Sequence, residues 1–130
     1  MFVVCWVYSA KAFDGEEPWI MVLNKNRGWE LPGGEILEGE EYDVAALREL
    51  YEETGLLGTA ISFDSEIIEG GVVVLVEVDD MPTPEPWDSL DPSIDEVGWC
   101  LEAPTRLAWK EEELERIRGH DWNSSNSLRS

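Results

Sequence analysis

The stretch from Gly34 to Leu56 constrains the fold more than any other part of this chain, because it writes a turn, a helix and an acidic face in one continuous run. From Tyr42 to Thr54 the residues Val44, Leu47, Leu50, Tyr51 and Thr54 (by its methyl) recur every three or four positions, which predicts one stripe of an amphipathic helix. Gly55 stands where a left-handed C-terminal cap is needed. On that helix Glu49, Glu52 and Glu53 occupy positions i, i+3 and i+4, so their carboxylates share a face. Like charges so spaced cost about 0.2–0.5 kcal/mol per pair. Arg48, placed to pair with Glu52 one turn on, offsets only part of that cost. A hard divalent cation turns the repulsion into ligation, and clustered carboxylate oxygens suit Mg²⁺ or Mn²⁺ rather than zinc.

An acidic helix face taken alone is most simply a solvated surface. The turn in front of this one argues for more. Leu31-Pro32-Gly33-Gly34 fixes the chain direction and leaves the backbone bare, so a carbonyl can approach an ion closely. The spacing of the whole segment is G-x5-E-x7-R-E-U-x-E-E-x-G-U, with U an aliphatic residue. It is filled by Gly34, Glu40, Arg48, Glu49, Leu50, Glu52, Glu53, Gly55 and Leu56. This run, with its approach Trp29-Glu30-Leu31-Pro32-Gly33-Gly34, resembles the box that marks the Nudix hydrolases.

The resemblance implies an α/β (α+β) fold, an α/β/α sandwich with a mixed β-sheet between helices. It implies divalent-metal-dependent hydrolysis of a nucleoside diphosphate linked to another moiety, by water attack on phosphorus. An anionic pyrophosphate must enter a pocket lined with carboxylates, and metal ions neutralise its oxygens and activate the water. By the same resemblance Glu52 and Glu53 are the principal metal ligands, and Glu49 is a ligand or the general base, oriented by Arg48. The Gly33 carbonyl completes the coordination, and Glu40 reaches the metal directly or through water. Some family members place the base in a later loop, where this chain offers Asp91, Asp95 and Glu96. Glu96 reads equally as a strand-edge carboxylate. Downstream of the box, Gly70, Gly71, Val72, Val73 and Val74 carry neither the proline nor the tyrosine that marks ADP-ribose and dinucleoside polyphosphate hydrolases. The short chain therefore looks most like the MutT-like group acting on (d)NTPs or modified nucleotides. ADP-ribose, nucleotide-sugar or dinucleoside polyphosphate hydrolysis, or a non-catalytic nucleotide-binding domain, are the alternatives, and the resemblance allows a homodimer.

Composition narrows the partners. A net charge of −20 repels nucleic-acid backbones, so the expected partner is a small nucleotide and not a long nucleic acid. With 43% hydrophobic residues and no apolar run longer than the eight residues Met1 to Tyr8, a membrane span is not expected. Cys5 and Cys100 lie in strand-like contexts without metal spacing and read as reduced thiols of a cytoplasmic protein. The basic residues Lys25 and Arg27 lie just before Trp29, within reach of substrate phosphates or simply as surface charge. Of the seven tryptophans, Trp6, Trp19 and Trp99 fall on strands and read as core, whereas Trp29 and Trp87 are placed where a base can stack.

Strands are expected at Phe2–Tyr8, Trp19–Leu23, Trp29–Leu31, Thr59–Ile68, Val72–Val78 and Glu96–Leu101, with a hairpin at Gly70-Gly71 and a second helix at Ala108–Arg118. Asp79 to Asp95 is a proline-rich loop. One domain over 1–118 and a disordered polar tail over 119–130 complete the expectation.

Overall fold

Successive residues of the first strand feed two different cores. In the computed structural model, which describes residues 1–128, β1 (Phe2–Ser9) runs parallel to β6 (Gly71–Val78) and is buried on both faces. Val3, Cys5 and Val7, with Val72, Val74, Val76 and Val78, face one way. Val4, Trp6 and Val73 face the other. This explains the unbroken apolar runs, since a strand covered on both sides has no polar face to show.

β4 (Gly33–Glu35), β5 (Gly58–Asp64) and the short β8 (Asn126–Ser127) complete a mixed sheet of order β4-β1-β6-β5-β8, each of the three antiparallel to its neighbours. A second, antiparallel sheet has the order β3-β2-β7, from Gly28–Glu30, Trp19–Asn24 and Ile94–Cys100. Helix α1 (Tyr42–Thr54) covers the first core and α2 (Glu111–Arg118) the second, through Leu114 and Ile117. The result is the expected α/β/α sandwich.

Helix α1 has the expected ends, and Gly55 caps it at φ 79° with its N–H donated to the Tyr51 carbonyl. Its buried face is only partly the expected one. Val44 and Tyr51 are more than half exposed, while Ala45, Ala46, Leu50, Thr54 and Glu53 are buried. The two alanines let the helix axis come close to the sheet, and that close approach carries Glu53 inward. Counting large side chains misses such a face.

Three other segments differ from expectation for local reasons. β5 stops at Asp64, whose carboxylate accepts the Glu66 N–H and turns the chain so that Ile67 and Ile68 enter the second core. α2 starts at Glu111 because Arg106–Ala108 is engaged by β3, Trp29 donating to the Arg106 carbonyl and Ala108 to that of Trp29. Residues 119–128, expected to be disordered, form a 3-10 turn (Trp122–Ser124) and strand β8 (Asn126–Ser127) paired with β5. The last two positions of the expected tail lie outside the described residues. Cys5 and Cys100 are free thiols. Among the described residues no helix is long and apolar enough to cross a membrane.

Candidate active site

The glycine turn and the box helix meet at two carboxylates. Glu53, only 6% exposed, accepts the Gly33 N–H at 2.7 Å. Burial pushes its pKa up to about 8, and the charge of Glu49 adds to the rise, while the Gly33 bond opposes it. Glu49 lies one turn earlier, directly under Gly34: a Cβ there would stand 2.6–2.8 Å from its carboxyl atoms. Burial raises the Glu49 pKa as well, against the pull of Arg48.

Arg48 organises the acidic side of the helix. Its Nε and Nη2 chelate Glu40 at 2.7 and 3.0 Å, its Nη1 donates to Glu49 at 2.8 Å and to Glu52 at 3.3 Å, and Nη2 also reaches the Glu35 carbonyl. Glu40 additionally accepts the Leu37 N–H, and the guanidinium holds its carboxyl down at about 2. Glu40 is thus committed to orienting Arg48, which in turn orients Glu49. Because the fork makes bidentate and branching contacts that an ammonium cannot copy, Arg48→Lys is expected to lower kcat by about 10–100-fold. The fold should persist in that variant, as followed by circular dichroism alongside turnover.

The remaining candidates divide sharply. Asp91, in the loop before β7, is close enough for its charge to raise both Glu49 and Glu53. Asp95 instead faces Lys25 at 3.9 Å across an exposed surface, and Glu96 sits on β7 opposite Leu23. Arg27 is held by Glu30 through Nε and Nη2 at 3.1 and 2.9 Å. Trp29 is half-buried in the second core, and the Trp87 indole donates to the Thr54 carbonyl at 2.9 Å, so both rings have structural work. Glu30 is the residue sequence reasoning passed over. Its charge raises Glu53, and its partner Arg27 three residues earlier was the available signal.

Arg27, Glu30, Gly33 and Gly34 line a cleft of about 150 Å³ with Phe2 and Trp109 as its apolar wall. Among the described residues no three acidic, histidine or cysteine side chains stand gathered as a ready metal cage. The donor set nevertheless fits a hard cation. It is made of oxygens only, and the buried Glu53 feels the like charges of Glu49, Glu30 and Asp91, which a divalent ion would offset. Mg²⁺ commonly takes one or two protein carboxylates and completes its shell with waters and phosphates.

Solved structures share this fold. An Ap4A hydrolase of C. elegans, in a binary complex, is 21% identical with TM-score 0.66, covering 91% of this chain and 93% of its own. The NUDIX domain of Shewanella oneidensis NrtR, complexed with ADP ribose, is 22% identical (TM-score 0.54; 90% and 84% covered). A MutT NUDIX hydrolase from Burkholderia pseudomallei is 21% identical (TM-score 0.54; 89% and 96% covered). No curated protein sequence matches the chain significantly. The NUDIX domain family model matches residues 4–118, which takes in both helices, strands β2 to β7, most of β1 and the whole acidic site; the chain belongs to the Nudix family.

Proposed function

We propose that this Nudix pyrophosphohydrolase splits its nucleoside diphosphate derivative in the cleft beside Gly33 and Gly34, and that its preferred substrate is a (d)NTP or a modified nucleotide. The observation that carries the reading is the pair of buried acids Glu49 and Glu53, both with raised pKa, set against a bare glycine turn. Groups perturbed by burial and by each other are the mark of a working site.

Glu49 is the base in this reading. Arg48 fixes one of its oxygens, and its other oxygen accepts no hydrogen bond among the described residues. Its raised pKa is the direction a proton acceptor working near neutrality needs. Glu53 and Glu52, with the Gly33 carbonyl, would hold Mg²⁺ or Mn²⁺, and Glu49 would share in the ligation. Bound there, the ion neutralises phosphate oxygens and lowers the pKa of a water. Glu52 is half exposed and meets Arg48 at 3.3 Å, so a rotamer change frees it for that duty. Arg27 borders the cleft and can leave Glu30 for a phosphate, while Phe2 and Trp109 offer an apolar wall to a base.

The test is a panel of nucleoside diphosphate derivatives with Mg²⁺ or Mn²⁺, with products separated by chromatography. Nucleoside triphosphates should yield monophosphate and pyrophosphate, and EDTA should abolish the reaction. Failure to cleave any member of the panel removes the enzymatic reading. A dinucleoside polyphosphate or ADP-ribose preferred by more than about tenfold in kcat/KM, some 1.4 kcal/mol at the transition state, removes the substrate assignment alone.

A further inference from the structure

A larger cavity lies at the other end of α2, away from every box glutamate. It holds about 350 Å³ and is lined by Trp6, Tyr8 and Trp122, with Glu16 and Glu17 from the loop between β1 and β2. Trp109, just before α2, borders the catalytic cleft, and His120, just after it, borders this second cavity. The two are separated by the length of the helix, roughly 12 Å.

The aromatic side chains are fixed in advance. Trp6, 8% exposed, stacks on fully buried Trp19 with ring centres 5.1 Å apart. Trp122 meets the His120 ring edge-on at 4.7 Å. His120 is itself anchored, with Nε2 at 2.6 Å from Ser125 Oγ and 3.3 Å from an Asp64 oxygen. The Tyr8 hydroxyl donates to Glu77 at 2.8 Å. Rings held this way lose little freedom when a ligand arrives.

The charge lining the cavity favours one ligand class. Glu16 and Glu17 are exposed and make no ion pair among the described residues. Arg118, which also lines the cavity, is turned onto the Trp19 ring at 4.7 Å and donates to the Leu101 carbonyl, and the His120 ring is held by Ser125 and Asp64, so the two carboxylates are the charges left without a partner on this wall. The carbonyl end of α2, the negative pole of its dipole, borders the same space. The chain's net charge of −20 adds a long-range attraction for a cation.

We propose that this cavity binds a small organic cation of the alkylammonium or quaternary ammonium class, through the aromatic side chains of Trp6, Tyr8 and Trp122 and the carboxylates of Glu16 and Glu17. Aromatic surfaces with unpaired carboxylates are the chemistry that recognises such groups.

The test is a calorimetric titration of the full chain with choline chloride at constant ionic strength. It is run against 3,3-dimethylbutanol, which has the same shape and no charge. Choline should bind saturably, with the neutral analogue weaker by roughly tenfold or more. Trp122→Ala should abolish the signal and leave nucleotide hydrolysis unchanged. The double variant Glu16→Gln with Glu17→Gln, confined to exposed side chains, should weaken binding several-fold and serves if Trp122→Ala does not fold. Glu53→Gln should bind choline as the wild type does, so the outcome is independent of the catalytic assignment. No saturable binding, equal binding of the neutral analogue, or indifference to both cavity variants overturns the proposal.

Discussion

Glu53→Gln is expected to lower kcat by roughly 10²–10⁴-fold while making the metal-free protein more stable at pH 8. The substitution keeps the side chain's volume, and an amide oxygen can still accept the Gly33 N–H that Glu53 accepts at 2.7 Å. What it removes is a charge in a site only 6% exposed. In the unfolded chain a glutamate titrates near 4.3; in the fold this one is pushed up to about 8. The folded state therefore prefers the protonated acid. Its contribution to stability is whole below the unfolded value and is lost progressively as pH rises toward 8. The loss is on the order of a few kcal/mol, and the glutamine variant does not suffer it. In EDTA, urea midpoints of the wild type should fall across that window and those of the variant should stay nearly flat. Added Mg²⁺ should raise the wild-type midpoint and leave the variant's unchanged, since a ligand that binds only the folded state stabilises it. Undiminished turnover, or a variant less stable than wild type in EDTA at pH 8, would overturn the role given to Glu53.

Such opposed effects on activity and stability follow from how α1 is seated, and that seating was only partly legible in the sequence. The ends of α1 could be read, because Gly55 supplies a left-handed cap and the apolar period stops beside it. The buried face could be read only in part: Leu50 and Thr54 lie in the apolar stripe, but Ala45 and Ala46 carry little hydrophobic signal and Glu53 carries none. The acids of the box were named by spacing, whereas Glu30 belongs to the site only because β3 turns it toward Glu53. Trp87 shows the same limit. Nothing local says that its indole will cap the Thr54 carbonyl across the fold. Parallel pairing of β1 with β6 is likewise a long-range choice, and β4 is three residues long, too short for a periodic signal. Local chemistry marks turns, caps and acids, and tertiary packing decides which of them converge.

The two glycines of the turn should fail in opposite ways when replaced by alanine. A Cβ on Gly33 would stand 2.1 Å from the Val3 carbonyl oxygen and 2.9 Å from Val4 Cα. Both are backbone atoms of β1, the strand paired with β4, and they have nowhere to go. Gly33→Ala is therefore expected to cost about 2–4 kcal/mol and to show as a lowered urea midpoint. A Cβ on Gly34 would instead meet the Glu49 carboxyl at 2.6–2.8 Å, the far end of a flexible side chain. That carboxyl can swing away, so the stability cost should stay below about 1 kcal/mol. The move, however, breaks its 2.8 Å bond to Arg48 and takes the proposed base off line. A displacement of about 1 Å at a reacting group costs on the order of 10²-fold in rate. Gly34→Ala should thus fold normally and turn over about a hundred times more slowly. If it runs at the wild-type rate, the base lies elsewhere, and Asp91 becomes the residue to test because its charge reaches both buried glutamates.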